Sequence, residues 1–155
     1  MRIVNSLIFC LSFLISNAQI EISEFDSLWK DKTDSALSLI KECDSSRYHF
    51  LQDNCTMIHF WIFDFSSIVE NGTILIPQAD VKYESVSTLA SVIVKESMRL
   101  NILNNLINMN EGEEEMLCLT YQLDFLLRVP EAEPEVIEDI RERLSDYWTN
   151  KKSQE

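Results

Sequence analysis

SSRYHFLQDNCTMIHFWIFDFSSIVENG, residues 45–72, decides how the rest of the chain is read. Within it Leu51, Cys55, Ile58, Ile62, Phe65 and Val69 recur at alternating steps of four and three. That spacing predicts a single face of an α-helix. Met57, Phe60, Trp61, Phe63 and Ile68 carry the apolar surface well beyond one stripe. A helix apolar on most sides must be wrapped on most sides. The stretch is therefore expected to be the central helix of a small bundle, with each fully buried Ile, Leu or Phe contributing roughly 1.5–3 kcal/mol.

The flanks supply candidates for the wrapping. Phe25, Leu28, Trp29, Ala36, Leu37, Ile40 and Cys43 share a helical face, with a break expected at Lys32-Thr33-Asp34 and an N-cap at Ser23. Asp44-Ser45-Ser46 reads as a turn and the next cap, and Asn71-Gly72 as a helix ending. Thr73–Gln78 is apolar without helical period and is expected to be an extended connector or a short edge strand, with Pro77 keeping the residue before it out of a helix. Ser85–Asn110 reads as a long helix whose inner face holds Val86, Leu89, Ala90, Ile93, Ser97, Leu100, Leu103 and Ile107. Its asparagine-rich end should fray or be capped. Glu111-Gly112 closes it, and the next helix runs from Glu113 to about Arg128. After a stiff linker, Pro134 suits the first position of a last helix.

Composition agrees with helices joined by short loops. The chain has 155 residues, enough for one domain, and 46% of them are apolar. Only 2 Gly and 3 Pro occur, few for a protein of many hairpins. The net charge of −13 excludes nucleic acid and anionic membrane surfaces as natural partners and leaves a basic protein partner open. The fold class expected is all-α: a single-domain bundle of four to five helices over residues 19–150, with 151–155 a disordered tail.

The chain opens with an address. Arg2 is a short positive region, Ile3–Ile15 an apolar run too short to span about 30 Å of hydrocarbon with ease, and Ser16-Asn17-Ala18 a small-residue cleavage site before Gln19. Residues 1–18 read as a secretory signal peptide, and the processed chain is expected in the periplasm or outside the cell, with no membrane span. Cleavage leaves Cys43, Cys55 and Cys118, an odd count, in an oxidising compartment.

Few residues offer chemistry. A Cys43–Cys55 disulfide is the sharpest candidate. A helix beginning at Ser46 would carry Cys55 roughly 13 Å along its axis, whereas a bridge needs Cα atoms within about 7 Å. The pairing thus requires Asp44–Asp53 to form a loop or a kinked turn, and closing that loop would contribute on the order of 3 kcal/mol. Cys118 then reads as a buried small hydrophobe. Cys43, His49, Cys55 and His59 lack the spacing of a zinc site, so no metal and no cofactor are expected. No nucleophile comes with a His and an acid in recognisable order, so no enzyme is expected; the remaining route to one runs through His49 or His59. His59 reads as a hydrogen-bonded core histidine, and His49 as a surface partner of Asp53. Glu111, Glu113, Glu114 and Glu115 form an acidic knot that is either a solvated helix start or a docking surface for a basic partner.

From about Leu37 to Ile107 the chain resembles the small periplasmic immunity proteins that neutralise cell-wall amidase toxins delivered by type VI secretion. The residues that carry the likeness are Cys43 ending one helix, Cys55 opening an apolar one, Ile76-Pro77, and the amphipathic run through Val86, Leu89, Ile93 and Val94, all behind an export signal. The chain departs from that family at Leu75, where the family has a cysteine, in lacking a glycine before Gly72, and over residues 119–155. The resemblance implies an all-helical toxin inhibitor, often a homodimer. Together with the charge it predicts an exported, non-enzymatic binding protein that docks a basic partner such as a secreted toxin. The alternative is a carrier of a small apolar ligand between aromatic helix faces bearing Phe60, Trp61, Phe63 and Phe65.

Overall fold

A computed structural model describes residues 20–22, 27–61 and 67–152. The stretch read as a signal peptide, the cap expected at Ser23, and Ile62, Phe63 and Phe65 lie outside the described residues. The described chain runs β1 (Glu21–Ile22), α1 (Ser27–Cys43), α2 (Ser45–Asn54), β2 (Met57–Trp61), β3 (Ile68–Glu70), β4 (Thr73–Pro77), α3 (Gln78–Tyr83), α4 (Val86–Asn104), α5 (Glu111–Leu126) and α6 (Pro134–Lys152). It is mostly helical, but the four strands form one mixed sheet in the order β1-β2-β4-β3. The all-α expectation is therefore overturned, and the fold that the family resemblance implied falls with it.

The correction falls on the opening stretch. Residues 45–72 do not form one helix. α2 starts where expected, with the Asp44 carboxylate accepting from the Arg47 N–H, and it stops at Asn54, with Cys55 already extended. From Met57 the burial alternates, with Ile58 and Phe60 inward and Met57 and His59 only partly covered. Period two has replaced period 3.6, as the aromatic and β-branched run Ile58–Trp61 favours. Asn71-Gly72 does not end a helix. Asn71 at φ 48° and Gly72 at φ 78° are the two central residues of a hairpin turn. Left-handed backbone at both positions is what a two-residue turn between right-twisted strands demands. The hairpin sets Val69 opposite Ile74. Thr73–Pro77 is no loose connector either. β4 pairs in parallel with β2, Ile58 opposite Ile74 and Phe60 opposite Ile76, and lies inside the sheet. β1 pairs in parallel with β2 at the sheet edge.

A helix jacketed on most sides does organise the fold, but it is α4. Leu89, Ala90, Ile93, Val94 and Leu100 are buried on it, and so are Ser87, Thr88, Ser91, Glu96 and Ser97. It packs on α1, α2, α5, β3 and β4. Buried hydroxyls on a helix must find acceptors: Ser91 donates to the Thr88 carbonyl at 2.8 Å and Ser97 to the Val94 carbonyl at 2.7 Å. Ser91 Oγ also accepts from Gln122 Nε2 of α5 at 2.9 Å. α1 is unbroken through Lys32–Asp34 and closes the inner sheet face, Trp29 meeting Phe60 edge-on at 5.7 Å. α6 packs chiefly on α5, through a separate small cluster of Leu119, Leu126 and Ile140. It continues to Lys152, into the segment expected to be a tail.

Candidate functional site

The thiols come first. α2 fills the interval between Cys43 and Cys55, the arrangement that forbids a bridge, and Cys43, Cys55 and Cys118 are all free. The expected Cys43–Cys55 pairing is not formed. Burial pushes the Cys55 thiol up to about 11 and Cys118 to about 12. Both are neutral, poorly nucleophilic groups at physiological pH. Burial, then Glu42 and Asp44, also raises Cys43, which is only partly covered. It lines a groove of about 420 Å³ with Leu39, Val86, Val129 and Pro130. Phe60 and Trp61, expected on an aromatic helix face, lie on β2, and Phe63 and Phe65 lie outside the described residues.

The histidines do not converge on anything. His49 is exposed on α2, and His59 is half-covered on the outer side of β2, not a core residue. Among the described residues no group of three or more His, Cys, Asp or Glu is placed to hold a metal ion.

The acidic knot sits at the start of α5, as expected, and complements the helix dipole there. The Asn110 side chain caps the helix, accepting from the Glu113 N–H at 3.0 Å. Two of the four acids are turned inward, to bases of the same chain. Arg99 of α4 binds Glu114 at 3.0 Å and Glu115, and also the fully buried Glu96 of its own helix. Glu96 accepts from Ser67 Oγ at 2.6 Å as well. Arg143 of α6 reaches Glu115 at 2.7 Å, and Lys151 lies 3.6 Å from Glu113. Burial, which would lower the Arg99 pKa, is outweighed by Glu96, so its guanidinium is held firmly charged. Glu114 and Glu115 thus clamp α4, α5 and α6 together, while Glu111 stays exposed. Spacing along the sequence could not reveal this, because Arg99 and Arg143 lie far from the knot in the chain.

The same pole holds residues that the sequence reading placed inside. α4 ends at Asn104, six residues earlier than expected, so Ile107 leaves the inner face and is 45% exposed, while Leu103, still on the helix, is 47% exposed. Between them Leu106 is 89% exposed at φ 50°. The Ile107 N–H bonds to the Ile102 carbonyl at 3.0 Å and the Leu106 N–H to the Leu103 carbonyl at 3.1 Å. This pair of bonds is the Schellman helix ending, whose left-handed position is usually glycine. A branched apolar residue occupies it here, bare to water, where it costs roughly 1 kcal/mol or more in backbone strain. The Asn-rich run was the available signal: it marked a helix end too early for Leu103 and Ile107 to be covered.

Compared with known proteins, the chain matches no family model, and no curated protein or solved structure is similar to it.

Proposed function

We propose that the chain is an exported, non-enzymatic binding protein, of the immunity or inhibitor kind, that docks a basic protein partner such as a secreted toxin. One observation carries this reading. From Glu111 to Lys152 the sequence holds twelve acids against five bases, Arg128, Arg141, Arg143, Lys151 and Lys152. That segment is the α5–α6 hairpin, and α6 is the outermost helix, with Glu135, Glu142 and Asp146 exposed on it. About half of the net charge of −13 is thereby carried by one lobe. A single-sign surface of this kind speeds and orients encounter with an oppositely charged partner and repels its own copies. The signal-peptide pattern of residues 1–18 supports an encounter outside the cytoplasm.

The test is a pull-down from the exported protein fraction at low and raised salt, with the processed chain as bait. A basic protein is retained, and retention falls as salt screens the lobe over its Debye length of about 10 Å at 0.1 M. Retention indifferent to salt, or no basic protein retained, overturns the reading.

A further inference from the structure

Resting on that reading, we infer that Leu103, Leu106 and Ile107, at the C-terminal end of α4, are the apolar centre of the docking surface, and that the partner offers them an apolar pocket rimmed by Lys and Arg. The three are bare on one short segment, at 47%, 89% and 45% exposure. The backbone there is stiff. Three main-chain hydrogen bonds of 3.0–3.1 Å close the turn, and the Asn105 amide holds the Asn101 carbonyl at 2.9 Å. Side chains carried on a backbone already ordered leave little main-chain freedom to be lost on binding.

The surroundings specify the occupant. Asn104 Nδ2 donates to the Asn54 carbonyl at 3.3 Å, which brings the end of α2, where Asp53 is exposed, against the end of α4. On the other side the chain runs straight into exposed Glu111, with Glu113 behind it 3.6 Å from Lys151. The apolar centre therefore has carboxylates on both flanks, and an apolar centre inside a charged rim is the usual anatomy of a specific interface. A second copy would set acid against acid, so the complementary surface belongs to a different, basic protein. Glu114 and Glu115, bound to Arg99 and Arg143, are not its contacts.

The probe is the basic protein recovered in the pull-down, purified and titrated calorimetrically against the processed chain and three variants. Leu106→Gly replaces the strained leucine by the residue the turn favours, so its melting temperature is unchanged or higher while its affinity falls at least tenfold. Leu103→Ser/Ile107→Ser lowers affinity by a similar factor. Leu127→Ser, at the opposite end of α5 where Leu127 is 57% exposed, leaves affinity within twofold. If the basic protein binds all the variants as tightly as the parent, this inference is overturned and the proposed function stands. If no basic protein binds the parent, both fall. Self-association of the parent that Leu106→Gly abolishes also overturns the inference, since the occupant is then a second copy.

Discussion

Arg47 on α2 binds Asp124 on α5, Nη2 to Oδ2 at 2.5 Å, across seventy-seven residues of chain. The same guanidinium bonds Asp44 through Nη1 at 2.7 Å and lies 4.3 Å from the centre of the Tyr121 ring. Arg128 adds a second cation, 3.0 Å from Asp44 and 2.8 Å from Asp124. Arg47 is thus a buried fork that ties the start of α2 to the end of α5. The Asp44 side chain is only 5% exposed, so removing the fork strands a carboxylate with little water to take its place. Loss of one partner from a buried pair costs about 3–5 kcal/mol. Arg47→Ala is expected near the lower end, since Arg128 remains. Arg47→Lys should recover less than half of the loss, because an ammonium cannot serve both acids and stack on Tyr121. Urea unfolding at pH 7 measures both; a loss below 1 kcal/mol for Arg47→Ala would show the cluster to be dispensable.

The same cluster gives stability a pH dependence of fixed sign. The hydrogen bond from Arg47 holds the Asp124 carboxyl below its ordinary range. Burial would raise Asp44, but hydrogen bonds from Ser46 and Arg47 outweigh it and hold that carboxyl low too. A carboxyl with a folded pKa below its unfolded value of about 3.9 binds protons more readily in the unfolded chain. Its contribution is present above about pH 4 and is lost as the pH falls through the folded pKa. Urea midpoints taken between about pH 2.5 and 6 should drop on the acid side, and Arg47→Ala should flatten the drop. Equal slopes in parent and variant would remove this cluster as the cause.

Much of the helical part was legible before the structure, for local reasons. Ser85 and Pro134 mark helix starts because caps and first-turn positions have fixed chemistry, and α4 and α6 begin there; α5 begins at Glu111, capped by Asn110, where a helix ending was expected. The sheet was not legible, for a reason equally physical. Leu51, Cys55, Ile58 and Val69 satisfy a helical period by coincidence, since α2 ends at Asn54 and an alternating strand begins at Met57. Nothing local announces that Glu21 pairs with Met57 or Ile58 with Ile74, because parallel pairing joins segments with no turn between them. Asn71-Gly72 was the one local sign, and it fits a helix stop and a hairpin turn equally well until both flanks are read as strands. At the candidate site, the acids of α5 were legible and their internal partners were not, for Arg99 and Arg143 meet them only in the folded chain.

Thiol labelling should rank the cysteines by cover. Near pH 8 the folded, processed chain is expected to react at Cys43 well before Cys55 and Cys118, whose buried thiols are raised to about 11 and about 12. Cys55 is further engaged, its thiol donating to the Met57 carbonyl at 3.2 Å. In denaturant three thiols react, and a fourth, Cys10, appears only in an unprocessed chain. Two of the three resisting reagent in denaturant until reduction would show that a disulfide forms after all.

The hairpin turn is a single point of failure for the sheet. Gly72 has φ 78°, and a Cβ built there lies 3.2 Å from Thr56 Oγ1. Thr56 in turn donates to the Gly72 carbonyl, N–H at 2.8 Å and hydroxyl at 3.2 Å. Gly72→Ala combines backbone strain of about 1 kcal/mol with displacement of that threonine, for a total of roughly 1–2 kcal/mol. Gly72→Val should cost more, because a β-branched side chain tolerates the left-handed region worst. A melting temperature unmoved by Gly72→Val would mean that the turn is not the one described.

Leu106→Gly runs the opposite way, and the contrast isolates its cause. At Gly72 the sequence supplies the residue that a positive φ favours; at Leu106, φ 50°, it does not. Glycine at the left-handed position of a helix ending removes a Cβ clash and, with the leucine 89% exposed, gives up almost no buried area. The gain is reduced because glycine also loosens the unfolded chain. The balance is a stabilisation of up to about 1 kcal/mol, read as a higher urea midpoint at unchanged slope. Stability left unused at a bare apolar residue is the pattern expected where activity rather than folding selects the side chain. If Leu106→Gly instead destabilises by 1 kcal/mol or more, the leucine has a structural role in the folded chain, and its exposure loses its bearing on partner binding.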